Sequence, residues 1–474
     1  MDKSNKFVSF FKKIKSIFSQ QEIDMTTGPL VKKMVIFSLP VALSTILQFL
    51  YNTADLAVVG QFNSKTSLSA VSVSGPISNL VLGVLIGLAI GTNVVVANAI
   101  GAKDEHKMSV AVHSSMLLSV VLGIVGAAIG VIFCKPLLTI MNCSGELLRL
   151  ANIYLIIVFC GIPFSCIYNF GAAVMRANGN TQKPLFYLFV SGMVNVVLNV
   201  VFVAVFKMDV AGVALATSIS QGLSAVLVVF DLMKLKGGLK FEFKKLRFNG
   251  FIVKQVLSIG IMSGIQSAMF NITNIIAQAY LVKIGPDVPA SNAAQSNISG
   301  YISTISGAFY QAALAFTAQN VGAKNFPYIK KIQRYSLLVS VSLTIVFSAI
   351  VFALRSPLLR IFTDDEEVLG YALKGLMIIV PGYFLWDIGE VSTGISKGLG
   401  SNAVPMILTA IFSCLFRILY FIFIFPYYGS YEIVIAVYPI SWAFLAVFQY
   451  GWSKIVYKKA YKKYMLESAP EIIT

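Results

Sequence analysis

Ile100-Gly101-Ala102-Lys103-Asp104 and Val321-Gly322-Ala323-Lys324-Asn325 are one pentapeptide pattern written twice, 221 residues apart. Arg176-Ala177-Asn178-Gly179-Asn180, with Pro184 after it, is echoed by Lys397-Gly398-Leu399-Gly400-Ser401 and Pro405, again at 221. Ser38-Leu39-Pro40 and Ser258-Ile259-Gly260 stand 220 apart, and Asn52 and Asp55 fall opposite Asn271 and Asn274 at 219. Anchors that keep register over most of a chain mark a duplication, each copy being one folding unit.

The stretches between these anchors are apolar. Of 474 residues 57% are hydrophobic and 12% charged, against about 25% charged in a soluble protein. So little polar surface cannot cover a water-soluble fold of this size, and lipid must be part of the solvent. Runs of about 20 apolar residues cross a bilayer as helices. Such runs are read at 32–60, 67–99, 107–134, 147–175, 184–206, 210–233, 251–283, 292–320, 329–353, 368–396, 402–425 and 432–456. The expected fold is an all-α integral membrane protein of twelve transmembrane helices. Six spans per half is an even number, so both halves enter in one orientation and relate by a pseudo-twofold along the membrane normal. The expected plan is a cytoplasmic N-terminal segment (1–31), a six-helix lobe (32–233), a Lys- and Gly-rich linker (234–250), a second lobe (251–456) and a cytoplasmic tail (457–474). Two related bundles can rock to expose a shared cleft to either side in turn.

The net charge of +17 is distributed by side. Both termini and the even-numbered loops carry 28 Lys and Arg; the odd-numbered loops carry 8; Arg417 alone falls inside a span. Short cytoplasmic loops collect Lys and Arg, so both termini are expected in the cytoplasm of a cell-membrane protein. The basic balance is thus topology and contact with anionic lipid, and no nucleic-acid partner is expected. Phe7, Phe10, Phe11, Ile14, Ile17 and Phe18 recur at helical spacing among lysines, which reads as an amphipathic surface helix, or else as a basic tail. The five Cys show no metal or redox spacing; Cys134 and Cys143 share an outer loop and read as free thiols or a disulfide. No Walker-type loop occurs, so no cofactor is expected and an ion gradient is the expected energy source. Gly101, Gly322, Gly179 and Gly400 are read as turn and helix-cap glycines.

A charge inside a spanning helix costs at least roughly 2.5–3.5 kcal/mol and tends to face a cavity. Asp55 lies deep in span 1, three residues after Asn52, with Pro40 in the same span to permit a bend. It reads as an H+ or Na+ site, or as a structural carboxylate. Asn195 and Asn199 share a face of span 5 and can reach it, or else bond between helices in the ordinary way. Asp387 and Glu390 share a face of span 10 beside Trp386, a combination suited to a lipophilic cation. Arg417 is a candidate counter-ion to either acid. His113 reads as a packed histidine or a pH sensor. Asp231 reads as an inner-surface partner of Lys234 and Lys236.

Gly28-Pro29-Leu30 through Pro40, Asn52-Thr53-Ala54-Asp55 and Val58-Val59-Gly60 resemble the first helix of the multidrug and toxic compound extrusion family. Arg176 through Thr181 with Pro184, Asn195-Val196-Val197-Leu198-Asn199, and Ala211 through Thr217 are similar to later segments of that family, and the resemblance covers nearly the whole chain. It implies a secondary antiporter, not an enzyme, that exports small organic compounds in exchange for H+ or Na+. It places cation coupling on Asp55 with Asn52, Asn195 and Asn199. It places Gln266, Asn271 and Asn274 where some relatives carry an acid in span 7, and these join Asp387, Glu390 and Trp386 as expected substrate contacts. A monomer is expected. The alternative is a flippase for lipid-linked precursors or polysaccharide, which needs several bases in its cleft. A membrane enzyme would need a paired His and acid constellation, and the chain has two His.

Overall fold

The computed structural model describes residues 22–141, 143–285 and 287–468. The amphipathic helix expected over residues 7–18 lies outside them. The described residues form twelve long helices. The first six are α1 (Leu30–Phe62), α2 (Lys65–Gly101), α3 (Glu105–Ile140), α4 (Gly145–Ala177), α5 (Gln182–Val205) and α6 (Asp209–Lys234). The second six are α7 (Gly250–Val282), α8 (Val288–Gly322), α9 (Phe326–Ala353), α10 (Glu366–Gly398), α11 (Ala403–Tyr428) and α12 (Tyr431–Ser468). The fold is the expected one: an all-α, twelve-helix membrane protein in two six-helix bundles.

Eleven of these helices are long and apolar enough to cross a bilayer. The exception, α8, is 35 residues long but rich in Ser, Gln and Asn. Its polar side chains Ser291, Gln295, Ser299, Ser306, Thr317 and Asn320 are buried. A helix enclosed by its neighbours need not present an apolar surface to lipid. Elsewhere the usual arrangement is inverted. Ile124, Ile129, Ile132 and Phe133 of α3 are exposed, whereas Ser114, Ser115 and Ser119 of the same helix are buried. That is the pattern expected where the surrounding medium is hydrocarbon and polar groups must find partners inside.

The described chain divides into two compact units. One holds residues 22–25 and Leu39–Gly260; the other holds Thr26–Ser38 and the residues from Ile261 onward. Both divisions fall inside a helix, α1 and α7, at the duplicated anchors Pro40 and Gly260. The linker belongs to the first unit, where it forms two short 3-10 turns, Gly237–Leu239 and Phe243–Lys245. Helix α12 continues past residue 456 to Ser468 without a break.

The duplication is visible in the backbone. Gly179 and Gly400 both adopt positive φ, 79° and 87°, as turn residues. After α2 and α8, however, the left-handed residues are Lys103 and Lys324 at φ 54° and 55°, not Gly101 and Gly322. The helices run through those glycines and turn two residues later. Within the first unit, α3 packs on α4, and α4 on α2 and α6; in the second, α10 packs on α8, α9 and α12. Gly123 makes the α3–α4 approach close: a Cβ there would sit 2.6 Å from the backbone Cα of Pro163. Gly123→Val is therefore expected to destabilise the first bundle by about 1–3 kcal/mol, read as a lowered unfolding midpoint in detergent. Gly307→Ala, with nothing within 4 Å of the added carbon, is expected to leave the midpoint unchanged.

Candidate functional site

A cavity of about 470 Å3 opens within the first unit. Helix α1 contributes Gln48, Tyr51, Asn52 and Asp55; α4 contributes Tyr154, Tyr168 and Asn169; α5 contributes Gly192 and Asn195; α6 contributes Thr217 and Gln221. Helix α2 supplies a wall of small and polar residues, among them Gly75, Ser78 and Asn79. The volume lies within the range of sites for drug-sized molecules. Asp55 is the one ionisable carboxyl on the lining, and no Lys or Arg lines it.

Asp55 is 6% exposed. Asn199 Nδ2 donates to its Oδ1 at 2.5 Å, and Thr217 Oγ1 donates to its Oδ2 at 3.3 Å. The same Asn199 amide donates to Asn195 Oδ1 at 3.2 Å, and Asn195 Nδ2 reaches Thr217 Oγ1 at 3.4 Å. One carboxylate, two amides and a hydroxyl thus close a ring joining α1, α5 and α6. Among the described residues no Lys or Arg is ion-paired with Asp55. The amide carbonyl of Asn199 is buried and has no partner. Asn52 lines the cavity but is exposed and stands outside the ring.

Tyr51 fixes α1 to α5 one turn below Asp55. Its hydroxyl donates to Leu188 O at 3.1 Å. Its ring occupies the space that Gly192 leaves, since a Cβ at Gly192 would lie 1.7 Å from the ring. Sequence reasoning reached Asp55, Asn195 and Asn199 through their placement in apolar helices. It did not reach Thr217, Tyr154, Gly192 or Gln221, because the contact of α6 and α4 with α1 is tertiary and carries no local signal.

None of the polar groups proposed for substrate in the second half lines this cavity. Asp387 is fully buried and accepts from Ser340 Oγ at 2.6 Å. Its other oxygen is without a partner, as are the buried hydroxyls of Ser306 and Thr344. Trp386 packs among Phe270 and Trp442, with ring centroids 5.3 and 5.7 Å away. Asn271 bonds back to Ser267 O of its own helix, and Asn274 accepts from Tyr438 Oη at 3.4 Å.

Arg417 pairs with neither acid. Its Nε donates to Ser441 Oγ at 2.9 Å and its guanidinium lies 4.3 Å from the centre of the Tyr438 ring. The cation that acts on Glu390 is Lys397, two turns along the same helix. Nor is Arg417 the one buried base. Lys397, read from sequence as a turn residue, is 2% exposed because α10 continues to Gly398. Its Nζ donates to Gln266 Oε1 at 2.7 Å, Ser263 Oγ at 3.0 Å and Tyr310 Oη at 3.3 Å. Gln266 passes the network on to Thr409 Oγ1 at 3.0 Å. The signal that could have placed Lys397 is its repeat mate Arg176, which also ends a helix. Asp231 likewise differs from expectation: its partners are Lys183 at 2.8 Å and the Tyr187 hydroxyl. Cys134 is a free thiol that donates to Asn152 Oδ1.

Comparison with known proteins agrees with this architecture. The family model MatE matches twice, over residues 40–201 and 259–422. Its two starting points lie 219 residues apart and fall where α1 and α7 pass from one unit to the other. The probable multidrug resistance protein YoeA of Bacillus subtilis is 24% identical over 90% of this chain and 94% of its own length. The multidrug export protein MepA of Staphylococcus aureus is 23% identical over 79% of this chain and 83% of its own. A crystal structure of MATE in complex with MaL6 superposes with a TM-score of 0.87 at 21% identity, covering 94% of this chain and 100% of that one. With the MatE signature carried by both halves of a duplicated twelve-helix fold, the chain belongs to the MatE family and is a MATE transporter.

Proposed function

We propose that this protein exports lipophilic organic cations in exchange for protons, by alternating access of its two halves, from a cell membrane with both termini in the cytoplasm. The observation that carries the reading is the first-unit cavity, with a single carboxyl on its lining and no base to neutralise it. A monovalent organic cation entering that space meets one negative charge and the faces of Tyr51, Tyr154 and Tyr168. Aromatic faces attract cations, and more strongly where water is excluded. Proton and substrate then compete for one group. When Asp55 is ionised, the Asn199 amide donates to it, as observed. When Asp55 is protonated, the same amide can turn and offer its unpartnered carbonyl. An amide that serves both states suits a site that cycles between them.

The choice of proton over sodium rests on the neighbours of Asp55. One turn of the Asn199 amide serves both protonation states of Asp55, whereas sodium would need the oxygens of Asn199, Asn195 and Thr217 all drawn around it, away from the bonds observed. The flippase reading finds no base on the cavity wall. The two buried bases of the second unit are engaged, Lys397 by three oxygens and Arg417 by Ser441 and Tyr438. In the second unit Asp387 and Glu390 remain candidate cation contacts, with the Lys397 charge opposing cation binding at Glu390.

The test is efflux of a fluorescent lipophilic cation from proteoliposomes, with proton and sodium gradients imposed separately. The proton gradient alone is expected to drive transport, and Asp55→Asn to abolish it without loss of fold. Asn199→Ala is expected to slow it by about tenfold, the worth of one hydrogen bond to a charged group. Sodium-only driving would contradict the choice of ion; full activity in Asp55→Asn would contradict the choice of residue. In the same assay Lys397→Met, in protein that retains its fold, is expected to raise apparent affinity for the cation, and Glu390→Gln to cancel that gain.

A further inference from the structure

The linker between the halves is not a loose tether. Between Leu235 and Asn249 it is fastened to the N-terminal end of α3 at successive points. Gly238 N–H donates to the Glu105 carboxylate. Glu242 N–H donates to His113 Nε2 at 3.0 Å. Asn249 N–H donates to Ser114 Oγ at 3.2 Å, and that hydroxyl donates to Arg247 O at 3.0 Å. Phe241 N–H returns to Leu232 O at 3.0 Å, and the Phe241 ring stacks on the imidazole, centroids 5.5 Å apart and 20° from parallel.

His113 is the one titratable member of this fastening with both ring nitrogens committed. It is 1% exposed. Nδ1 lies 2.6 Å from Ser109 O, an atom that only accepts, so Nδ1 carries the hydrogen. Nε2 faces a backbone N–H, which only donates, so Nε2 must present its lone pair. The geometry therefore selects the neutral Nδ1–H tautomer. A second proton would set two donors head-on and remove the linker's hold at its centre.

No charged side chain offers the imidazolium a compensating bond. Among the described residues, the ring's polar partners are Ser109 and the Glu242 amide. On α3 the ionisable groups of the first turn are Glu105, which holds Gly238, His106, and Lys107, which binds Asn98 Oδ1. On the linker, the Glu242 carboxylate turns to Lys240 and Lys245, at 3.7 and 3.2 Å, and Lys236, Lys244 and Arg247 complete the set. The turn after α2 and the last turn of α4 bring Lys103 and Arg176 to the same end. The surroundings are mostly basic and do not favour a charged ring.

We propose that His113 is a proton-operated clasp: neutral, it holds the linker on α3; protonated, it lets the linker go. The state of the clasp is thus set by a single proton on one ring, because Nε2 cannot both carry a hydrogen and accept from the Glu242 N–H. This does not depend on Asp55 or on what is transported.

The chain has two histidines, which makes the test direct. Full-length protein labelled with 15N-histidine and held in nanodiscs is examined by NMR at about pH 7.5 and about pH 5.5, with His106→Gln to assign the signals. His113 is expected to carry its proton on Nδ1 while the linker is held, and a doubly protonated ring is expected only together with a released linker. In parallel, hydrogen exchange of amides 238–249, corrected for intrinsic rate, is expected to accelerate about tenfold or more on acidification. His113→Gln keeps an acceptor that does not titrate, so its linker is expected to stay protected at both pH values. A proton on Nε2 at the higher pH, a ring that stays neutral at the lower, or an imidazolium beneath a linker still protected would each overturn the clasp. So would the same acid response in His113→Gln. The tautomer measurement stands alone should that variant fail to fold.

Discussion

A carboxylate enclosed by helices in lipid has to obtain from the protein what water would otherwise supply. At Asp55 the supply is an amide and a hydroxyl from two other helices, with no counter-ion. The rest of the first unit is arranged around that requirement. Helix α5 brings Asn195 and Asn199 on one face, α6 brings Thr217, and Gly192 lets the Tyr51 ring settle so that α1 lies close enough for the contact. Remove the carboxylate and the amides lose their reason for facing inward. The charge is held by neutral donors alone, and on the function proposed above a proton and a cationic guest would each neutralise it and exclude the other.

The second unit shares the backbone plan but distributes its charge differently. Asn274 stands opposite Asp55 in the repeat and meets Tyr438. The acids move to α10, where Asp387 accepts from the Ser340 hydroxyl and Glu390 feels Lys397. Lys397 occupies the position of Arg176, at the end of the equivalent helix in each copy. Duplication supplied two bundles with the same turns, seen in the matching positive φ values at Lys103 and Lys324 and at Gly179 and Gly400. Divergence then left one bundle with an uncompensated acid and the other with a partly compensated pair, so ion coupling and substrate contact need not be divided evenly between halves.

Much of this was legible in the chain, and the limits are physical. Apolar periodicity and the 221-residue offset exposed the helices and the duplication, because both are local or repeated properties. Asp55, Asn195 and Asn199 stood out because polar atoms are scarce in such helices and the two amides share a face. Thr217 did not, since a threonine in a spanning helix has many roles and only packing chooses among them. Lysine beside Gly and Ser reads as a loop residue, whereas Lys397 is buried because α10 continues to Gly398, a property of the fold and not of local composition. The hold of His113 on the Glu242 amide, between residues far apart in sequence, left no trace in spacing. The span read at 292–320 counts as one apolar run among twelve in the sequence; in the fold its Ser, Gln and Asn side chains are buried, which is why its polarity is tolerated.

The account turns on Asp55 exchanging a proton for a cation. Calorimetric titration of the nanodisc protein with tetraphenylphosphonium, repeated in buffers of different ionisation enthalpy, counts the protons released on binding. It should be run at a pH low enough for the free protein to hold its proton. About one proton should leave per cation bound in the unaltered protein, and none from Asp55→Asn. Equal proton release from both would contradict the claim that substrate and proton meet at this carboxyl.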